Sequence, residues 1–171
     1  GSGQTSLAEL AERADEAARS ATAIAQFTNT VDLGVADAYA IQAQSVGRRL
    51  QRGEQLVGIK MGLTSRAKMV QVGVDEVIWG RLTDAMRVAD GGTVSLGRYV
   101  HPRVEPEIAF LIGAPLAGAV SGAEALAAVA AVAPAAEIID SRFENFRCSL
   151  PDLIADNSSS SGLVVGGRHD P

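Results

Sequence analysis

The sequence holds a single cysteine, Cys148, so no disulfide can close within the chain, and a reducing, cytoplasmic setting is expected. No base stands beside Cys148 in the sequence, which argues against a thiol nucleophile. Basic residues do not dominate: 15 Lys and Arg face 20 Asp and Glu, well mixed, for a net charge of −5. That balance lacks the basic stripe of a nucleic-acid binder. No apolar run reaches membrane-spanning length. The N-terminus lacks the basic start and apolar stretch of a signal peptide. A phosphate-cradling glycine loop, a dinucleotide fingerprint, internal repeats and linker-like composition are also missing. What remains is 171 residues, 47% of them apolar, enough for one domain with a real core. Gly1-Ser2-Gly3 reads as a tag remnant and plays no part in the expected fold.

Three carboxylates are present where apolar side chains are the rule. Glu105 and Glu107 lie in Val104-Glu105-Pro106-Glu107-Ile108-Ala109-Phe110, and Glu137 lies in Pro134-Ala135-Ala136-Glu137-Ile138-Ile139. Both segments read as buried or half-buried strands. Residues two apart in a strand share a face, so Glu105 and Glu107 project side by side. Like charges that close resist joint ionisation unless a cation lies between them. A hard divalent ion, Mg²⁺ or Mn²⁺, suits carboxylate and water ligands. The alternative is a polar face on an edge strand, which Pro106 favours because it cannot donate to a ladder. Glu137, inside an apolar run, tilts the balance toward the metal.

The first third reads as helical. Ser6-Leu7-Ala8-Glu9 has capping-box spacing, and the helix it opens is expected to run to about Ala25, broken by Phe27-Thr28-Asn29-Thr30. A second helix is expected from Val35 to Gln51, with Ala38, Ile41, Ser45 and Leu50 near one face and Gly53 ending it. Leu56 to Gly62 reads as a strand. Thr64 or Ser65 caps a short helix through Gln71, and Val77-Ile78-Trp79-Gly80 follows as an apolar stretch. Asp90-Gly91-Gly92 reads as a turn between two strands. After the Glu105 strand, a helix capped at Ser121 is expected to continue to about Val132. The Glu137 strand comes next, then an irregular polar stretch to Ile154, a polar loop over 155–162, and a last strand opening at Leu163. The organisation expected is α+β: a helical region over residues 4–54 and a β-rich, metal-binding core over 55–171.

Lys60 is the second anomaly, set between Ile59 and Met61 with Gly58 and Gly62 on either side. Glycines there let a ligand or backbone approach closely. A lysine partly desolvated near a metal suits proton transfer. A strand lysine that snorkels its head to water is the competing reading. Arg66, Arg81 and Arg142 can hold a carboxylate by bidentate pairing, or serve as ordinary ion pairs. His101 is a ligand or base, or a turn residue that makes a hydrogen bond. Asp140-Ser141-Arg142 can support the Glu137 strand, and Trp79 reads as core rather than as a stacking platform.

Four ordered motifs carry a resemblance. They are Gly58-Ile59-Lys60-Met61-Gly62-Leu63-Thr64-Ser65, His101-Pro102-Arg103-Val104-Glu105-Pro106-Glu107-Ile108-Ala109-Phe110, Pro134-Ala135-Ala136-Glu137-Ile138-Ile139-Asp140-Ser141-Arg142, and Ile154-Ala155-Asp156-Asn157-Ser158-Ser159-Ser160. Together they resemble the 2-keto-4-pentenoate hydratase / 2-oxo-3-hexenedioate decarboxylase family, within the fumarylacetoacetate hydrolase superfamily. The resemblance runs from Asp37 to Gly166. It implies a mixed β-sandwich or rolled β-barrel core behind the N-terminal helices. It implies one Mg²⁺ or Mn²⁺ held by Glu105, Glu107 and Glu137, with Lys60 as the acid/base lysine. Family members are longer, so it also implies further core strands and a C-terminally incomplete chain.

The segments from Lys60 to Met69, Ile78 to Asp84 and Arg142 to Phe146 resemble the decarboxylase branch. The hydratase branch more often has Asp-Trp where this chain has Asn145-Phe146. The implied reaction is loss of CO₂ from 2-oxo-3-hexenedioate, leaving electrons conjugated onto the keto oxygen, where a Lewis acid is wanted. Ser159 or Ser160 would hydrogen-bond the 1-carboxylate, and Arg66 or Arg81 would meet the distal one. Phe143, Phe146 and Trp79 would supply an apolar wall for departing CO₂. Hydration of 2-hydroxypenta-2,4-dienoate is the alternative reaction. A non-catalytic subunit of such an enzyme is the alternative of another class. A homo-oligomer, and a complex with the partner hydratase or decarboxylase, are also implied; nucleic acid and membrane are not.

Overall fold

Ser6 opens α1 (Leu7–Ser20): its hydroxyl accepts the Glu9 N–H at 3.1 Å, the cap its spacing predicts. The computed structural model describes residues 5–73 and 75–171, so the tag remnant expected at 1–3 lies outside the described residues. Helix α1 stops at Ala21, in the left-handed region with φ 49°, short of the expected Ala25. The chain turns there because the Thr22 N–H bonds back to Ala17 O, while Ile24 leaves to bridge Phe143 in parallel. The second helix, α2 (Val35–Gln51), has its expected bounds and buries Ala38, Ile41, Gln42, Ser45 and Val46. Leu50 is exposed, contrary to expectation, because it falls off that face.

A strand, β1 (Leu56–Gly62), pairs antiparallel with β2 (Ile78–Thr83), and between them Ser65 caps α3 (Arg66–Val72) by accepting the Lys68 N–H at 3.1 Å. Asp90-Gly91-Gly92 does turn, with Gly91 at φ 78°, but no hairpin flanks it. Val88 instead donates to Leu163 O at 2.8 Å, on the last strand of the other sheet.

That sheet has the order β3-β4-β5 and is antiparallel throughout: β3 (Arg103–Ile112), β4 (Val129–Ile139) and β5 (Ser160–Val165). The helix at Ser121 is only α4 (Gly122–Ala127), not the expected run to Val132. From Val129 the alanine-rich chain is extended. Pairing of Ala131 with Leu111 and Val132 with Phe110 outweighs alanine's helical preference. The stretch expected to be irregular contains α5 (Leu150–Ala155), opened by a reciprocal Ser149–Asp152 capping box. Strand β5 begins at Ser160, three residues before the expected Leu163.

The core lies where α1, α2 and α5 meet β2: Leu10, Phe27, Ile41, Ile78, Phe143 and Ile154 are all buried there. Phe27 and Phe143 meet edge to face at 5.4 Å. The architecture is α+β, and among the described residues the two sheets do not close into a barrel. As Pro106 suggests, β3 is an edge strand. It is less buried than expected: Val104, Ile108, Phe110 and Ile112 are exposed on its even-numbered face. Among the described residues no helix is long and apolar enough to cross a membrane.

Candidate metal centre

Register places the acids. Glu105 on β3 is paired directly with Glu137 on β4, and Glu107 follows two residues along. All three therefore share one face of the sheet. One carboxylate oxygen from each lies within 4.8 Å of the others. Burial is graded across the cluster. Glu137, on the central strand, is buried; Glu105 is half-buried; Glu107, on the edge, is exposed. The site thus has a closed end and an open end.

Two lysines face the cluster. Lys60 Nζ stands 2.8 Å from Glu137 Oε1, with its side chain almost as buried as its partner's. The contact is an ion pair, and no other donor reaches Glu137 Oε1 among the described residues. Lys68, on α3, donates to Glu105 Oε1 at 2.7 Å from the exposed side. Burial pushes the Glu137 carboxyl above its ordinary value, Lys60 pulls it down, and Glu105 and Glu107 push it up again. Three carboxylates against two ammonium groups leave the cluster short of positive charge. Three converging carboxylates with only part of their charge matched are the setting of a hard divalent cation.

Lys60 gets its position from β1, where it pairs with Gly80 of β2. On that strand Gly58, Lys60 and Gly62 turn inward and Ile59 and Met61 turn to solvent. The snorkelling reading therefore fails: the ammonium goes to the acids, not to water. A Cβ on Gly80 would lie 2.5 Å from Asn157 O, so only glycine lets β2 pass there.

The serine run forms a strained turn. Asn157, Ser158 and Ser159 all have positive φ, at 54°, 51° and 63°. Each such residue costs about 1 kcal/mol or more, so neighbours must hold the turn. Asn157 Nδ2 donates to Arg81 O at 2.8 Å and its Oδ1 accepts the Arg81 N–H at 2.7 Å. Ser158 donates to Trp79 O at 2.7 Å. A bulge follows on β5: Ser160 pairs with Ile139 and Gly162 with Ile138, leaving Ser161 unpaired. Bulges of this kind re-aim side chains beside functional sites. Ser159 and Ser160 are both buried, and the Ser160 hydroxyl has no hydrogen-bond partner among the described residues.

Beneath the turn, Arg142 donates to Asp156 Oδ1 at 2.6 Å and to Asp156 O at 2.8 Å, and also to Ser161 Oγ. Burial raises the Asp156 carboxyl, and the charge and donors of Arg142 pull it back. Asp140 accepts the N–H groups of Val100 and His101, each at 2.8 Å, and so fixes the approach to β3. These bonds leave Arg142 fully engaged with Asp156 and Ser161. The His101 ring packs at 4.8 Å from Phe146, and its buried Nε2 has no hydrogen-bond partner among the described residues.

The arginines separate. Arg81 stacks over Trp79 at 4.7 Å and donates to Gln42 Oε1 at 2.7 Å; burial lowers its pKa. Arg66 is exposed on α3 and makes no ion pair among the described residues. Two of the three residues expected to line an apolar wall are otherwise occupied. Phe143 is core against Phe27, and Trp79 is half-buried, its ring taken up by Tyr39 at 4.9 Å and Arg81. Lys68 escaped the sequence reading because only the fold brings α3 to β3. Gln42, whose amide donates to Trp79 O and Ile154 O, escaped it as an ordinary polar residue on a helix.

No family model matches the chain. Among curated proteins, it is 56% identical over 165 residues to a 4-oxalocrotonate decarboxylase of a Pseudomonas species, covering 96% of this chain and 64% of that protein. Among solved structures, the 4-oxalocrotonate decarboxylase from Pseudomonas putida G7, complexed with magnesium and adipate, superposes with a TM-score of 0.91 at 38% identity, covering 98% of this chain and 66% of that one. The chain belongs to the family of 4-oxalocrotonate decarboxylases and 2-keto-4-pentenoate hydratases. The hydratase branch of the family is also similar: 2-keto-4-pentenoate hydratase 1 of Dechloromonas aromatica (strain RCB) is 41% identical over 140 residues, 80% of this chain and 53% of that protein. The chain thus spans less than two thirds of the length of these curated family members.

Proposed function

We propose that this chain carries the metal site of a 4-oxalocrotonate decarboxylase, which converts 2-oxo-3-hexenedioate and a proton to 2-hydroxypenta-2,4-dienoate and CO₂. The observation that carries it is the register-paired cluster of Glu105, Glu107 and Glu137 with Lys60 at its closed end. The higher identity to a decarboxylase than to the hydratase supports that branch.

Glu105, Glu107 and Glu137 would hold Mg²⁺ or Mn²⁺. The bound ion would supply Lewis-acid charge for the carboxylate and keto oxygens of a 2-oxo acid. Lys60 would hydrogen-bond the 2-oxygen as it gains charge, or deliver its proton. The Ser160 hydroxyl, without a hydrogen-bond partner among the described residues, would donate to the 1-carboxylate, and the strained turn before it would preorganise it and Ser159. Arg81, already stacked and half-buried, or exposed Arg66, would meet the distal carboxylate. That contact must stay weak, since tight ground-state binding would oppose loss of CO₂. Phe146, beside His101, is the remaining candidate for the apolar wall.

The rolled core of the fumarylacetoacetate hydrolase type, a cytoplasmic homo-oligomer and a complex with the partner hydratase belong to the same proposal. The division into a helical region over 4–54 and a metal-binding core over 55–171 belongs to it too.

The test is a paired assay of CO₂ release from 2-oxo-3-hexenedioate and water addition to 2-hydroxypenta-2,4-dienoate, each with and without Mg²⁺. CO₂ release that depends on Mg²⁺, with little hydration, is the expected result. Brisk hydration without CO₂ release would assign the chain to the hydratase branch. Metal binding without either turnover would leave a non-catalytic subunit.

A further inference from the structure

The two lysines at the acidic cluster differ in one respect that matters. The Lys60 side chain is 10% exposed and pairs with buried Glu137; the Lys68 side chain is 53% exposed and pairs with Glu105 at the open end. A divalent ion arriving from solvent must enter at that open end, past Glu107 and Glu105, because Glu137 and Lys60 close the other. Lys68 therefore occupies a carboxylate oxygen that the incoming ion needs.

We propose that Lys68 is a displaceable counter-ion: it holds Glu105 in the metal-free chain and yields it when a divalent cation binds. The inference rests on the metal-site reading above. Two observations and one property of lysine carry it. The 2.7 Å contact uses Glu105 Oε1, on one of the three metal-binding candidates. Lysine is a point charge on a flexible stem, readily released to water. And Lys68 rides on α3, a short helix with exposed Val70 that packs little against the rest of the chain. An exposed pair of this kind is weak, and a doubly charged ion among three carboxylates outcompetes it. The device would keep the open end partly neutralised in the metal-free chain while leaving entry cheap.

The experiment is calorimetric titration of Mn²⁺ into the chelator-treated chain, into Lys68→Ala and into Arg66→Ala. Arg66→Ala removes the same charge from the same helix without touching the acids. Lys68→Ala is expected to bind Mn²⁺ about two- to fivefold tighter than the unmodified chain, as loss of a weak competing pair requires. Arg66→Ala should change affinity less. In a second arm, acetylation of Lys68 is followed by mass spectrometry, and saturating Mn²⁺ should raise its labelling rate about twofold or more. Equal or weaker Mn²⁺ binding by Lys68→Ala, an equal gain in Arg66→Ala, or labelling unchanged by Mn²⁺ would each overturn the counter-ion role while leaving the metal site standing. Failure of the unmodified chain to bind Mn²⁺, or equal binding by Glu137→Gln, would overturn the metal site itself.

Discussion

Two buried carboxylates in this chain live under opposite conditions. Asp15, on α1, receives bonds from Arg52 at 2.7 and 2.8 Å and from Arg48 at 3.0 Å, so two cations serve one acid. Glu137, on β4, shares one close lysine and stands against two further acids. Burial would raise Asp15, but the hydrogen bonds and charges of Arg52 and Arg48 outweigh it and hold its pKa below the ordinary value. Burial also raises Glu137, and there Lys60 does not outweigh it. A satisfied buried acid ties two helices together. An acid left short of positive charge, beside two more, is the mark of a site that expects a ligand.

The comparison breaks most sharply at Glu137. Glu137→Gln should weaken Mn²⁺ binding by about 100-fold or more, measured by titration, because it removes a charged ligand candidate and not merely a support. If Glu137→Gln binds Mn²⁺ normally, the two acids do not differ in kind. Lys60→Ala should lower CO₂ release by about 100-fold while circular dichroism shows the chain still folded. Near-normal turnover in a folded Lys60→Ala protein would reduce Lys60 to a partner of Glu137.

Asp15→Ala should leave Mn²⁺ affinity unchanged but cost about 2–3 kcal/mol in urea unfolding. That is less than the usual cost of breaking a buried pair, since Arg48 and Arg52 are about a third exposed and can turn to water. The smallest effect is in pH. The lowered pKa of Asp15 gives stability that is present above its ordinary value of 3.8 and lost as pH falls through the folded-state value. The raised pKa of Glu137 has the opposite sign. In the metal-free chain its contribution is present below its ordinary value of 4.5 and lost as pH rises through the folded-state value. Neutral Asn and Gln mimic the protonated acids, so in the metal-free chain the melting temperatures of Asp15→Asn and Glu137→Gln should both part from the unmodified chain as pH rises out of the acid range, Asp15→Asn downward and Glu137→Gln upward. Departures of the same sign would erase the distinction.

The sequence carried one half of this comparison and hid the other. Glu105 and Glu107 were legible because a strand's period of two needs no tertiary information, and Glu137 because a charge in an apolar run is conspicuous. Asp15 looked like any polar residue on an amphipathic helix. Its meaning depends on Arg48 and Arg52 from a second helix, which no local pattern records. The same limit hid Lys68. Elsewhere local signals misled. Alanine after Ser121 promised helix where pairing with β3 makes strand from Val129. Helix α5 was missed because Asp152, rather than Glu or Gln, completes its capping box. The turn at 157–159 has three left-handed residues and no glycine, so it lacked the usual marker of positive φ.

The pairing of Glu105 with Glu137 also makes the site sensitive to chain length in a way its composition is not. The segment joining β3 to β4 runs on the outside, and residues added near Pro115 to Val120 would only lengthen a loop, at a cost that grows slowly with its size. One residue inserted between Arg103 and Glu105 would instead rotate the strand's alternation by a half-step, turning the carboxylates toward the apolar face and Val104 or its neighbour toward Lys60. Identical composition one step out of phase would not bring the three carboxylates together, so the spacing from the Asp140-held entry at His101 to Glu105 serves as the ruler against which this cluster is set.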